Sequence, residues 1–235
     1  LIFAMVAAFP SAAQQSVVPA PIAKALRKAA NKPTGKFTPS DLKKIKQLDL
    51  YDKGLSDIRA LAGLSELEIL WLGNNKIANL SLLRFHSKLK RLRIDGNQLS
   101  SIKTLPKLDQ LEALYVDNNQ IRDLSPILKL KNLNLLSAGG YNQNDFDTIL
   151  KLNDLEGLGL SGNNLSNQQL ATVVNELPKL KYLAVCYNPE LSNLLPLATL
   201  KNLVLIDVDD RPNLRIQIKT LQKTLPKLQA RYIKP

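Results

Sequence analysis

The chain has 235 residues, of which 45% are hydrophobic and 22% charged, and its formal net charge is +12. One cysteine and one histidine exclude an internal disulfide framework and provide no metal-binding cluster. The positive charge is concentrated in residues 20–47 (eight Lys or Arg, one acid) and residues 211–235 (seven, no acid), whereas the part between them is nearly neutral and argues against nucleic-acid binding.

Residues 1–13 (LIFAMVAAFPSAA) are apolar and end in small residues, which is typical of the apolar region and cleavage site of a secretory signal. Cleavage after Ala13 satisfies the small-x-small rule through Ser11. The run is too short to cross a bilayer, and no other segment reaches the roughly 20 apolar residues that a crossing needs. The pattern predicts a secreted or periplasmic protein without a transmembrane segment.

Residues 14–47 predict a linker followed by a helical N-terminal cap. Ile22 and Leu26 have the spacing of a short amphipathic helix. The segment Thr38–Asp41 (TPSD) predicts a second helix over about 39–46, with Thr38 as N-cap and proline at the first helical position. We expect this helix to cover the apolar end of the array that follows.

From Leu48 onward, a Leu-x-Leu pair recurs six times at intervals of 22 residues and then after 25 and 23 residues. Each 22-residue unit contains the pattern L-x-x-L-x-L-x-x-N, which marks a leucine-rich repeat. Residues 48–235 are therefore predicted to form an α/β solenoid, a leucine-rich repeat horseshoe with a parallel concave β-sheet.

An asparagine follows the first leucine of most pairs by five positions, where the backbone leaves the strand. Its carboxamide both donates and accepts, so we expect it to satisfy backbone groups of stacked turns. The terminal repeats depart from the pattern with Lys53 and Arg211, and the fifth has the displaced sequence 139–142 (GGYN). Residues 166–174 predict a convex helix, and residues 214–225 predict another, followed by a short strand near Tyr232. The ladder asparagines are Asn75, Asn97, Asn119, Asn163 and Asn188.

Residues 89–99 (LKRLRIDGNQL) and 111–124 (LEALYVDNNQIRDL) resemble the 22-residue repeats of bacterial internalin-type proteins. The resemblance covers about residues 45–235. It implies an N-terminal helical cap and the binding of a host or partner protein on the concave face.

The residue inside each Leu-x-Leu pair points to the concave face, since side chains alternate along a strand. Trp71, Arg93 and Tyr115 are thus predicted to lie in a line, with the arginine between two aromatic faces. Asp95 and Asp117 are expected to support Arg91 or Arg93. The alternative is that these aromatic side chains only pack on one another. The candidate ligand-binding residues are Tyr51, Trp71, Arg91, Arg93, Asp95, Tyr115 and Asp117.

Repeats five to seven place small residues on the concave face, which either admit a ligand closely or reflect tight strand curvature. Catalysis is not expected, because His86 lies on the convex side, far from Cys186, and salt bridging explains Asp95 and Asp117 better than acid–base chemistry does. No metal or cofactor is expected, and Cys186 is predicted to be an accessible thiol.

These features predict an exported, monomeric module that binds a protein or peptide on its concave face. The alternative is an envelope-associated scaffold that binds an anionic polymer or membrane surface through its basic ends.

Overall fold

The computed structural model describes residues 18–140 and 145–234. In this part of the chain, nine parallel strands form one sheet in which spatial order equals chain order. This is the predicted leucine-rich repeat solenoid. The strands are β1 (Gln47–Asp49), β2 (Ile69–Trp71), β3 (Arg91–Arg93), β4 (Ala113–Tyr115), β5 (Leu135–Ser137), β6 (Gly157–Gly159), β7 (Tyr182–Ala184), β8 (Leu205–Asp209) and β9 (Gln229–Ile233).

The central leucine of each strand from β1 to β7, and Ile206 in β8, point into the core. Leu48, Leu70 and Leu92 pair in register and are at most 1% exposed, and the register continues along the sheet. Convex residues such as Ile77 and Leu83 complete this layer and are fully buried. Burying each such side chain contributes about 1.5–3 kcal/mol, so stacking of neighbouring repeats holds the array together.

The convex side consists of short helices. Most of the 22-residue repeats contain 3-10 turns, such as Ser81–Phe85 and Leu105–Lys107. The 25-residue repeat instead contains the predicted convex helix, α4 (Asn167–Glu176), whose N-cap Ser166 forms a capping box with Gln169. The preceding repeat contains α3 (Phe146–Leu150).

The asparagine ladder is present. Asn97, for example, donates its Nδ2 to the carbonyl of Ile94 in its own turn and to that of Leu72 in the preceding repeat, both at 3.0 Å, and its Oδ1 accepts from the N–H of Ile77. In the last repeat, the guanidinium of Arg211 donates to the carbonyls of Asn188 and Leu191 instead.

The two ends of the array are covered by helices and by the last strand. At the N-terminus, α1 (Ala20–Ala29) and α2 (Pro39–Lys43) bury Ile22, Leu26 and Leu42 against the first repeat. Thr38 and Asp41 form the capping box of α2, which ends earlier than predicted, at Lys43. At the C-terminus, α5 (Pro212–Thr224) precedes β9.

None of the helices in the described ranges is long and apolar enough to cross a membrane. The proposed signal residues 1–13 and the pair Tyr141–Asn142 lie outside the described residues.

Candidate binding face

The outward-pointing side chains of neighbouring strands are aligned in columns by the parallel register. Asp49 pairs with Trp71, Trp71 with Arg93, and Arg93 with Tyr115. Because adjacent strands lie about 4.8 Å apart, side chains two strands apart are also within reach of one another when they are long. The sequence-predicted line of concave residues is therefore formed by the backbone.

Trp71 and Tyr115 contact each other directly, rather than through the arginine that lies between them in the column. Their ring centroids are 6.3 Å apart at an interplanar angle of 76°, an edge-to-face arrangement. Both rings are partly buried. The prediction that Arg93 lies between these two aromatic faces is wrong.

Arg93 turns instead toward Asp95 and Tyr51. Its Nε lies 2.6 Å from Asp95 Oδ1, and its guanidinium carbon lies 4.8 Å from the centroid of the Tyr51 ring. The physical reason is that a charge-assisted hydrogen bond to a neighbouring carboxylate and a cation–π contact act together on the same guanidinium. The predicted support of Arg93 by Asp95 is thus present, and the pKa of Arg93 is raised, chiefly by that hydrogen bond.

Gly73 makes this arrangement possible, and the sequence analysis did not identify it. A Cβ atom added at Gly73 would lie 2.8 Å from the Tyr51 ring and 2.6 Å from Asp95 Oδ1. Since glycine leaves this space open, the ring of Tyr51 lies across the column and approaches Asp95. The signal in the sequence is a single glycine between Tyr51 and Asp95 in one concave column.

Asp117 has a different role from the predicted one, because its carboxylate turns away from the arginines. It accepts from Ser137 Oγ at 2.8 Å and from the backbone N–H of Gly139 at 2.7 Å, and no ion pair to it occurs among the described residues. Burial raises the pKa of Asp117, the two hydrogen bonds oppose this shift, and the charge of Asp95 adds to it. Asp117 therefore links β4 to the next repeat.

Arg91 is exposed on β3, in register with Ile69 and Ala113. It adds positive charge near Tyr115, whose pKa is raised by burial against the opposing effect of Arg91 and Arg93. The phenol is therefore neutral at ordinary pH and presents a hydrogen-bonding hydroxyl beside two cations.

The small residues of repeats five and six do not form an open floor. The side chain of Leu135 lies over Gly157, within 3.2 Å of the place of a Cβ atom, and Ser137 covers Gly159 in the same way. All three residues of β6 are buried. These contacts favour the structural interpretation of the glycines, which let side chains of the preceding strand lean across.

Further along the face, a polar cluster joins the last three strands. Asp207 accepts from the hydroxyl of Tyr182 at 2.9 Å and pairs through both oxygens with Arg231 of β9 at 2.5 Å. Tyr187, which follows β7, is 51% exposed and has a positive φ of 56°. Its backbone N–H donates to Asp209. Sequence reasoning missed this cluster, since the ninth strand carries no Leu-x-Leu pair.

Cys186 is buried, so the prediction of an accessible thiol is wrong. It is 3% exposed, although it belongs to an outward column. Burial raises the pKa of the thiol to about 11, and the charges of Asp207 and Asp209 add to the shift. The thiol is therefore protonated and shielded, which makes it a poor nucleophile.

His86 is completely buried, with Nε2 3.0 Å from the carbonyl oxygen of Leu61. Burial lowers its pKa, so the ring is neutral at pH 7. Within residues 18–140 and 145–234, no group of three or more His, Cys, Asp or Glu is placed to hold a metal ion.

Comparisons with known proteins agree with this architecture. A family model described as leucine-rich repeats in two copies matches residues 87–129. The fold is similar to that of internalin C2 of Listeria monocytogenes (25% identity, TM-score 0.65, 91% of this chain and 93% of that one) and of an internalin F from the same species (24%, 0.71, 97% and 66%). A leucine-rich repeat protein of Leptospira interrogans is also similar (26%, 0.56, 82% and 50%). No curated protein matches the sequence.

The chain is therefore a leucine-rich repeat protein, and its fold is a scaffold for protein interaction. Within that class, its fold is similar to that of bacterial internalins.

Proposed function

We propose that this protein is an exported binding module that captures a protein or peptide on its concave face and carries out no catalysis. The observation that carries the proposal is the cluster of Tyr51, Trp71, Arg93 and Tyr115, four side chains of the types that dominate protein interfaces. They lie on four consecutive repeats and form two contacting pairs, Tyr51 with Arg93 and Trp71 with Tyr115, and all four are at least partly exposed.

The electrostatics of the cluster support a polar ligand group. Arg93 is held by Asp95, so its guanidinium is fixed in position before a partner binds. Arg91 is exposed on the same strand and keeps its charge available to the solvent. Preorganised side chains lose less conformational entropy on binding, which is why a rigid aromatic and arginine cluster is an effective anchor.

Export is supported by the apolar residues 1–13 with their small-residue ending, which is typical of a secretory signal. The proposed location of the binding face is extracellular or periplasmic. We propose no catalytic role, because Cys186 is buried and His86 is buried and neutral. A monomer is the proposed state.

The test is capture of partners from envelope and host-cell lysates, followed by affinity measurement with the partner identified. Trp71→Ala and Tyr115→Ala are each expected to weaken binding by about 2 kcal/mol, because hot-spot truncations have this magnitude. Arg93→Ala is expected to act in the same direction. The Trp71/Arg93 double variant should be non-additive because the two side chains contribute to one contact surface.

The matched control is Lys103→Ala, an exposed change away from the concave columns, which is expected to leave binding and melting temperature unchanged. If Trp71→Ala lowers the melting temperature strongly and binding is lost only through unfolding, the aromatic cluster is a packing feature and the proposal is refuted.

A further inference from the structure

The first strand of the sheet leaves backbone groups unpaired on one side. The carbonyl of Lys46 accepts from the N–H of Ile69 at 3.0 Å, and the N–H of Leu50 donates to the carbonyl of Trp71 at 2.8 Å. The backbone groups of Lys46 and Leu50, on either side of β1, therefore face β2. Backbone groups alternate in direction along a strand. The N–H and C=O groups of Gln47 and Asp49 therefore face the free edge of the sheet.

A cavity of about 750 Å³ lies between this edge and helix α1. Its helical wall is formed by Pro21, Ala25 and Ala29, which are four residues apart and so share one face of α1. Gln47 and Asp49 belong to the opposite wall. Small side chains on the helix keep the cavity open toward the unpaired strand edge.

The cavity has an excess of positive charge. Lys24, Lys28 and Lys53 line it, against a single acid, Asp49. Lys24 and Lys28 are exposed and take part in no ion pair within the described residues. The acid of the N-terminal cap, Asp41, is already paired with Lys32 at 2.6 Å and is not available to them.

We propose that the cavity between α1 and β1 binds an extended acidic peptide segment, which adds to the sheet beside β1. Edge strands are templates for such pairing, in which main-chain hydrogen bonds give affinity and alternate side chains give specificity. Carboxylates on one face of the segment meet Lys24 and Lys28, and small apolar side chains on the other face pack on Ala25 and Ala29. This site is separate from the concave cluster and does not depend on its ligand.

The probe is an acetylated and amidated eight-residue peptide of alternating Glu and Val, compared with the Lys and Val peptide of the same length. The full chain should bind the glutamate peptide and not the lysine peptide. Lys24→Glu/Lys28→Glu should weaken binding about tenfold or more, because two favourable charge contacts become repulsive. The control Lys107→Glu/Lys129→Glu makes the same charge change at two exposed convex positions and should bind as the parent does.

Hydrogen exchange provides the readout that separates strand addition from general charge attraction. The amide protons of Gln47 and Asp49 should exchange more slowly when the glutamate peptide is bound. Trp71→Ala should leave this binding unchanged, so that failure here is distinguishable from failure of the concave site.

Three results would overturn the proposal. Binding without protection of the two amides would reduce the site to a charged patch. Equal weakening by the convex control would show that net charge alone matters. Octanoate binding that depends on Lys24, with no binding of the glutamate peptide, would assign the cavity to a small anionic amphiphile.

Discussion

Replacing Asn119 with alanine should destabilise the array far more than changing its neighbour Asn118. The carboxamide of Asn119 donates to the carbonyls of Ile94 and Val116 at 2.9 and 2.8 Å, and its Oδ1 accepts from the N–H of Leu99 at 3.0 Å. One side chain thus joins two repeats.

The magnitude follows from the groups that lose a partner. Leu99 is fully buried, so its N–H would be left without an acceptor, which costs about 1–3 kcal/mol. The carbonyl of Ile94 keeps a donor, because Asn97 Nδ2 also reaches it at 3.0 Å. We therefore expect Asn119→Ala to lower the free energy of unfolding by about 2–3 kcal/mol, or the melting temperature by roughly 5–10 °C for a chain of this size.

The control is Asn118→Gly, measured beside Asn119→Ala by urea and thermal denaturation. Asn118 is exposed and has a positive φ of 52°, a conformation that glycine adopts without strain and alanine does not. Its change should stay within about 0.5 kcal/mol. Equal midpoints for the two variants would refute the ladder argument.

Three further outcomes follow from the same contacts. Gly73→Ala should displace Tyr51 from Arg93 and weaken partner binding. The melting temperature should change little, because the atoms that the new methyl group meets belong to side chains at the surface. Unchanged binding in an affinity assay would refute the proposed role of Gly73. Cys186 should react with a thiol reagent only after denaturation, and rapid labelling of the native protein would contradict its burial. Burial lowers the pKa of His86, so as pH falls below about 6.5 the unfolded chain binds a proton before the folded chain does. The free energy of unfolding should therefore decline below that pH, by up to about 1.4 kcal/mol per pH unit. His86→Gln should lose this slope in denaturation curves taken from pH 7 to 5, and an unchanged slope would assign it to another group.

The fold was predictable because it depends on features that repeat. The leucine spacing determines which side chains enter the core, and the asparagine position determines the turn. Because both recur in the 22-residue units, each unit supports the same structural prediction for the others. The capping pair Thr38 and Asp41 and the helix after Ser166 were predictable for a similar reason, since each is set by residues three or four positions apart.

The geometry of the concave face was only partly predictable, because register gives neighbours but not side-chain directions. Trp71, Arg93 and Tyr115 lie in the expected column, yet a carboxylate two residues away draws Arg93 out of the aromatic pair. The exposure of Cys186 was mispredicted for a related reason. A residue in an outward column can still be buried, as Cys186 is, and alternation along a strand does not show this.

The residues that break the repeat are therefore the ones to test for function. A solenoid stabilises itself through what its units share, and a departure that costs no core contact is free to serve a ligand. Tyr51 and Arg93 differ from the residues at the same positions of other repeats, and with Gly73 they form one contact that no single repeat forms alone. The same reasoning explains why Gly157 and Gly159 are weaker candidates. The space beside each glycine is already filled by Leu135 and Ser137 of the preceding strand.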